Sequence, residues 1–158
     1  MSEIYLGNPN LKKANTPIQF SAEQIEEFLK CKNNPVYFAQ KYVKIVSLDE
    51  GLVPFQPYKF QEKLIKRFHK NRFNICKMPR QTGKSTTVVS YLLHYAVFND
   101  SVNIGILANK AATARELLGR LQTAYENLPK WMQQGVLVWN RGSLELENGS
   151  KILAASTS

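Results

Sequence analysis

Residues 76–85, with the sequence C-K-M-P-R-Q-T-G-K-S, constrain this chain more than any other stretch. The last three residues, G-K-S, match the end of a phosphate-binding loop. Residues 73–76 before the loop predict a short buried strand, and residues 86–98 after it predict a helix. This order of strand, tight loop and helix is typical of a nucleoside triphosphate site, because N–H groups and the dipole at the helix start face the anion.

In such a site Lys84 reaches the β and γ phosphates and the Ser85 hydroxyl binds Mg²⁺. The loop departs from the pattern G-x-x-x-x-G-K-[ST], because Met78 stands where the first Gly is expected. Arg80 inside the loop is a candidate arginine finger from the same chain, or else a phosphate ligand without a catalytic step. For the tripeptide alone, the alternative is a Gly83 that simply precedes an ordinary polar helix.

A second candidate feature is the stretch F-Q-P-Y-K-F-Q at residues 55–61. A Gln amide offers both a donor and an acceptor, so it can bind the edge of an adenine ring. We predict Gln61 for this contact first and Gln56 second, with Tyr58 stacking on the ring. The alternative is a set of ordinary polar residues at a helix start.

The composition fits one globular domain, with 158 residues of which 44% are hydrophobic and 21% charged. No apolar run approaches the roughly 18 residues of a membrane span, and the N-terminus lacks the pattern of a signal peptide. Cys31 and Cys76 are too few for a disulfide scaffold, and no Cys/His cluster has metal-site spacing. We therefore expect a reducing, cytosolic compartment and no membrane partner.

The net charge of +9 favours a polyanionic partner, and nucleic acid is the leading class. Lys110 and Arg115 follow a predicted strand at residues 102–107, at the end of the strand where α/β proteins place ligands. Both side chains could contact a phosphate backbone there. The alternatives are a solvated basic surface and a solvated helix start.

The segment before the loop predicts an N-terminal arm and helical extension at residues 1–55. Its first 20 residues predict an extended arm. Ser21 with Gln24 predicts a capping box at the start of a helix, and Pro35 predicts the first turn of a second helix. A hairpin with an edge strand is expected at residues 43–55.

Residues 56–158 predict an α/β domain with a partly parallel sheet and flanking helices. A basic helix is expected at residues 57–71. After the loop helix, the strand at residues 102–107 is apolar enough to be central in a parallel sheet. A long helix follows, and then three short strands with hairpin turns between them, at residues 136–139, 143–147 and 151–154.

No hydrophobic run ending in Asp-Glu follows Ser85, although P-loop NTPases use such an acid to hold Mg²⁺. The chain also stops inside a strand-like stretch at residues 152–158. We therefore expect it to be the N-terminal part of a longer protein, with an α/β domain that is incomplete at its C-terminal end.

Three stretches resemble a known family: R-Q-T-G-K-S at residues 80–85, N-I-G-I-L-A-N-K at 103–110 and V-W-N-R-G-S-L-E-L-E-N-G-S at 138–150. Together they resemble the large terminase subunit of tailed phages, most closely its myovirus type. The resemblance covers roughly residues 54–158. Its most specific parts are the loop without a first Gly and the W-N-x-G-S hairpin.

The resemblance implies a P-loop NTPase fold of the RecA/helicase-like type and an ATPase motor that packages viral DNA into a procapsid. It implies Arg80 and Lys84 as catalytic residues and Ser85 as the Mg²⁺ ligand. The implied ATP contacts are Gln56, Tyr58, Gln61, Pro79, Gln81, Thr82, Gly83, Lys84, Ser85 and Thr86. The implied partners are double-stranded DNA, a portal protein, a small terminase subunit and further copies of the chain, in the host cytoplasm. The family's acidic Walker B pair, coupling motif and nuclease domain are not in this chain, so we expect it to be poorly active alone.

Two other functions fit the same residues. A superfamily 2 helicase also combines an upstream Gln with a polar loop after the strand that follows the P-loop helix. A non-catalytic nucleic-acid-binding module would make the G-K-S sequence incidental.

Overall fold

The structure is a computed structural model that describes residues 3–157. Within those residues the helices are α1 (Ala22–Asn33), α2 (Pro35–Tyr42), α3 (Lys59–Lys70), α4 (Lys84–Phe98) and α5 (Ala111–Glu126). The strands are β1 (Ile4–Tyr5), β2 (Asn8–Lys12), β3 (Lys44–Ser47), β4 (Gly51–Pro54), β5 (Asn103–Ala108), β6 (Val136–Trp139), β7 (Ser143–Leu146) and β8 (Lys151–Ser156). None of these helices within residues 3–157 is long and apolar enough to cross a bilayer.

The largest sheet has the strand order β5-β8-β7-β6. β5 and β8 run parallel, and β7 pairs antiparallel with both of its neighbours. The predicted α/β class with a partly parallel sheet is therefore confirmed, and so are the three closing strands. α5 packs on β5 and β8, and α4 packs against α5. The core includes the buried side chains Leu93, Leu118, Leu121, Tyr125 and Ile152.

Side-chain caps fix the starts of the first two helices, as predicted. The Ser21 hydroxyl accepts a hydrogen bond from the Gln24 N–H at 3.1 Å, and the Gln24 side chain accepts one from the Ser21 N–H at 3.0 Å. Asn34 accepts a hydrogen bond from the Tyr37 N–H at 3.0 Å, and Pro35 occupies the first turn of α2. Each bond satisfies a donor that the helix itself leaves unpaired.

The predicted hairpin and basic helix are also present before the loop. β3 and β4 pair antiparallel, and Gly51 at the start of β4 has a φ of +72°. α3 buries Gln61 and Ile65 on its inner face. The Lys and Arg side chains of α3 are all exposed.

Residues 73–76 do not form the predicted buried strand. They pair with no strand of residues 3–157, and the Phe73 and Ile75 side chains are 83% and 100% exposed. The apolar sequence indicated burial, but a strand is buried only where neighbouring strands and helices cover it. Within the described residues, nothing covers the side chain of Ile75.

β5 lies at an edge of its sheet, whereas its apolar sequence predicted a central strand. β8 pairs with one side of β5, and no strand of residues 3–157 pairs with the other side. Along β5, Leu107 on one face is 64% exposed, while Ile106 on the opposite face is buried. The prediction was wrong because an apolar sequence does not state how many strands lie alongside.

The N-terminal arm packs against the sheet, through a hairpin of β1 and β2 that the sequence did not predict. Lys12 is buried, and its ammonium nitrogen lies 3.4 Å from a carboxylate oxygen of Glu147. The Gln133 side chain accepts a hydrogen bond from the Lys12 N–H at 3.0 Å and donates one to the Asn10 carbonyl at 2.9 Å. These contacts join residues that are 121 positions or more apart in the chain.

Glu147 is the acceptor at the centre of this contact. It accepts hydrogen bonds from the N–H groups of Asn15 and Gly135, both at 2.8 Å. Burial raises the pKa of its carboxyl group, but the two N–H groups and Lys12 outweigh burial and lower the pKa below its ordinary value. The ionised carboxylate therefore links the arm to the segment that precedes β6.

Candidate functional site

The loop between the extended segment and α4 makes a tight turn. Gln81 has a φ of +59° and Gly83, the N-cap of α4, has a φ of +75°. The Thr82 hydroxyl donates a hydrogen bond to the Pro79 carbonyl at 2.9 Å, which closes the turn. Only Gly adopts the backbone conformation of residue 83 without strain.

The Lys84 side chain folds back over this turn. Its ammonium group donates a hydrogen bond to the Met78 carbonyl at 3.3 Å, so it spans the loop from the last residue to the first. The side chain is half-buried. The arrangement holds one positive charge over the backbone of the loop.

The start of α4 offers unpaired donors to the same place. No side chain caps the helix. Within the described residues, the N–H groups of Lys84, Ser85 and Thr86 have no hydrogen-bond acceptor. Within the same residues, the Ser85 hydroxyl forms no hydrogen bond. Free N–H groups, the helix dipole and a nearby ammonium together favour an anion.

Gln61 ties the start of α3 to the loop. Its side chain is 3% exposed, and its amide nitrogen donates to the Gly83 carbonyl at 3.2 Å and to the Thr87 hydroxyl at 3.0 Å. Its amide oxygen accepts a hydrogen bond from the Tyr58 N–H at 2.8 Å. Both amide hydrogens are therefore used inside the protein.

Thr87 completes this contact and was not among the predicted site residues. Its hydroxyl donates to the Gly83 carbonyl at 2.7 Å, and its N–H donates to the same oxygen at 3.0 Å. Its side chain is fully buried. The available signal was its position four residues after Gly83, where a Thr on a helix can reach the preceding carbonyl.

The contact also explains why residue 83 has no side chain. A Cβ atom on Gly83 would lie 2.5 Å from the Gln61 amide nitrogen. The loop therefore needs Gly there for two independent reasons, which are the positive φ and the close approach of Gln61.

The other predicted site residues lie at the surface. Arg80 and Gln81 are exposed, and Arg80 forms no ion pair within residues 3–157. Gln56 is exposed too. Tyr58 is 70% exposed and stacks on Phe60, with the ring centroids 5.9 Å apart and the planes 12° apart. This pair presents a flat aromatic surface one turn from Gln61.

Thr86 lines a cleft of about 630 Å³ beside the first turn of α4. The cleft lies between β3, represented by Ile45, and the face of α5 that carries Gly119 and Thr123. Its rim carries the ion pair of Glu116 and Arg120 with an N–O distance of 2.7 Å. Thr86 therefore lines this cleft as well as being part of the 78–86 loop.

Acidic residues do not gather near the loop. Within residues 3–157 there is no group of three or more His, Cys, Asp or Glu side chains that could hold a metal ion. Lys110 and Arg115, at the start of α5, are exposed and unpaired within the same residues. The described site therefore combines cations and N–H donors, which suit an anion.

A family model described as "Terminase large subunit, T4likevirus-type, N-terminal" matches residues 75–158, just over half of the chain. The chain belongs to this terminase family. The predicted resemblance to large terminase subunits is thereby confirmed, and the chain falls among the DNA-packaging terminases of phages. In this terminase chain the matched region contains Arg80, Lys84 and Ser85, whereas Tyr58 and Gln61 precede it.

Proposed function

We propose that this terminase chain binds ATP at its 78–86 loop, as part of a motor that hydrolyses ATP and drives double-stranded DNA into a procapsid. One observation carries the proposal. Lys84 folds over a loop that ends in unpaired N–H groups at the start of α4, in a chain of the terminase family. A triphosphate is the anion that such a loop suits best.

The residues of the loop have distinct tasks in this proposal. The N–H groups of residues 84–86 hold phosphate oxygens, and Lys84 exchanges the Met78 carbonyl for a phosphate oxygen. The exchange is favourable because a hydrogen bond between two charged groups is stronger than one to a neutral carbonyl. Pro79, Gln81 and Thr82 shape the turn that presents these donors.

Ser85 is the proposed ligand of Mg²⁺. Its hydroxyl is a hard oxygen donor without a partner in the described residues, so it fits one position of an octahedral Mg²⁺ shell. Bound Mg²⁺ would neutralise negative charge on the phosphates. No cluster of acids in residues 3–157 supplies further ligands, so we expect this chain to bind nucleotide but to turn it over poorly.

Arg80 is the proposed arginine finger. It is exposed on the turn and forms no ion pair in residues 3–157, so its guanidinium group is free to meet a phosphoryl group. In the complete terminase subunit, Arg80→Ala should slow turnover far more than it weakens ATP binding. Equal losses in both quantities would leave Arg80 a binding role only.

The adenine ring is assigned to the start of α3. Gln56 is exposed, and the stacked pair of Tyr58 and Phe60 offers an aromatic face. The sequence favours Gln61 for this contact, but both hydrogens of its amide are used within the protein. We therefore propose that Tyr58 and Gln56 meet the ring and that Gln61 holds the loop.

Family membership also supports the proposed partners, which are double-stranded DNA, a portal protein, a small terminase subunit and further copies of the same chain. Activity in the host cytoplasm belongs to the same proposal. No observation favours a superfamily 2 helicase or a non-catalytic binding module over the terminase family.

Binding of a fluorescent ATP analogue tests the nucleotide site. Lys84→Ala should weaken binding by roughly tenfold to a hundredfold, the value of a charge-assisted hydrogen bond. Lys77→Ala is the matched control, because Lys77 is exposed in the same segment and has no partner in the described residues. Equal affinity in the wild type and the Lys84 variant would refute the proposal.

A further inference from the structure

The outer face of α3 is strongly basic. Residues 59–72 contain six Lys and Arg residues against one Glu, a net charge of +5 within a chain of +9. All six cations are exposed. They are Lys59, Lys63, Lys66, Arg67, Lys70 and Arg72.

None of these six side chains has an acidic partner within residues 3–157, where the ion pairs all involve other cations. The single acid of the segment, Glu62, is turned towards α2, where its carboxylate accepts a hydrogen bond from the Gln40 side chain at 2.9 Å. Glu62 stands four residues before Lys66, the spacing of a stabilising helix pair, but the two side chains form no ion pair within residues 3–157. Without a formed ion pair on α3 in the described residues, its positive charges stay uncompensated.

The cations are arranged in a line. Lys59, Lys63, Lys66 and Lys70 follow the spacing i, i+4, i+7 and i+11, so they lie on one stripe of the helix over about 16 Å. The opposite face buries Gln61 and Ile65 against the rest of the chain. The stripe is thus held on a packed, rigid helix.

We propose that this stripe on α3 binds the phosphate backbone of duplex DNA. A duplex carries one negative charge about every 1.7 Å of its axis, a density that a straight row of unpaired lysines complements. Single strands are held largely by stacking on aromatic side chains. At α3 the exposed aromatic pair of Tyr58 and Phe60 lies only at the N-terminal end of the stripe, and Phe68 is partly buried against Tyr91. The choice of DNA as partner rests on the proposed function.

The stripe also adjoins the loop through Gln61, which bonds the start of α3 to Gly83. A duplex bound to the stripe would therefore contact the same helix that holds Gly83, the N-cap of α4. The DNA surface and the nucleotide loop would thus share one rigid element, α3.

The test compares two triple variants of this chain that lose the same charge. Lys63, Lys66 and Lys70 are changed to Gln in the stripe variant, and Lys13, Lys32 and Lys44 in the control. Duplex affinity is measured by fluorescence anisotropy across a range of salt concentrations. The stripe variant should lose roughly tenfold or more in affinity, and the slope of log K against log salt should fall by about 2.7. The control should keep its slope within about one unit.

Equal losses in the two variants, or no loss in the stripe variant, would overturn the inference while leaving the DNA role intact. Tighter binding of polyglutamate than of the duplex would overturn it in favour of an acidic protein partner. Failure of the wild type to bind any duplex would remove the proposed DNA role as well. Binding of the ATP analogue by all three proteins keeps the nucleotide site separate from these outcomes and shows that the variants fold.

Discussion

The side-chain amide of Gln61 donates a hydrogen bond to the carbonyl oxygen of Gly83, 22 residues later in the chain, at 3.2 Å. The same amide donates to Thr87, whose hydroxyl also reaches Gly83. Two residues, one from each of two helices, thus donate to one carbonyl at the start of α4. The shape of the 78–86 loop depends on a helix that precedes it in sequence.

Replacing Gln61 by Leu should destabilise the fold by about 1–3 kcal/mol, because the Thr87 hydroxyl loses a partner at a buried site and the Tyr58 N–H loses one at a partly buried site. Urea denaturation measures the change. Gln56→Leu is the matched control, since Gln56 is exposed, and it should stay within about 0.5 kcal/mol. A Gln61 variant as stable as the control would show that the three hydrogen bonds contribute nothing net.

Replacing Gly83 by Ala should cost more than replacing Gly51 by Ala. Both residues have nearly the same φ, +75° and +72°, so adding a side chain should strain the backbone about equally at the two positions. A Cβ on Gly51 meets nothing within 4 Å, whereas one on Gly83 lies 2.5 Å from the Gln61 amide. We expect about 1–2 kcal/mol for Gly51, a larger loss for Gly83, and loss of ATP-analogue binding for Gly83 alone. Equal effects in both assays would contradict the close contact.

Removing the Ile75 side chain should have little effect on stability. Ile75→Ala should change the free energy of unfolding by no more than about 0.5 kcal/mol, because the side chain is 100% exposed. The same substitution at Ile65, which is fully buried, should cost about 2–5 kcal/mol. Similar costs at the two positions would mean that residues 73–76 are buried after all.

Acid should destabilise the chain through His94. Burial lowers the pKa of this imidazole to about 4, although the Cys31 carbonyl, which accepts its Nε2–H at 2.8 Å, acts in the opposite direction. Between the ordinary pKa of 6.5 and about 4, the unfolded chain therefore takes up a proton that the folded chain does not. Stability should fall by about 3 kcal/mol as the pH decreases through this window.

The control for this prediction is His94→Gln, which cannot titrate. Its unfolding free energy should fall less than that of the wild type between pH 6.5 and 4, since every other acid-sensitive group is common to both proteins. Parallel pH profiles of the two proteins would exclude His94 as the cause. Denaturant titrations at several pH values provide the measurement.

Local sequence signals predicted the parts of this fold that depend on local chemistry. The capping box of Ser21 and Gln24 needs only side chains three residues apart, and it is present as predicted. The closing strands also follow from short alternating segments with Asn-Gly or similar turns between them. Such features are decided within a few residues, so the sequence is sufficient to predict them.

Features that depend on distant neighbours were not predictable in the same way. The apolar residues of 73–76 and of β5 indicated burial, but burial depends on which strands lie alongside. The sequence indicated Gln61 as a ligand-binding residue. Its hydrogen bonds to Gly83 and Thr87 instead depend on how α3 packs against α4. Thr87 was missed because its role depends on that same packing.

The ion pair of Lys12 and Glu147 has a consequence for the order of folding. These residues are far apart in the sequence, and the arm's other bonds to residues 133–147 also join residues 121 or more positions apart. Closing so long a loop costs entropy that is regained only once β6 and β7 have formed. We therefore expect the arm to dock after the transition state, so that Lys12→Met accelerates unfolding and leaves the refolding rate nearly unchanged. The contacts of the arm would then set the lifetime of the folded state rather than the rate of folding.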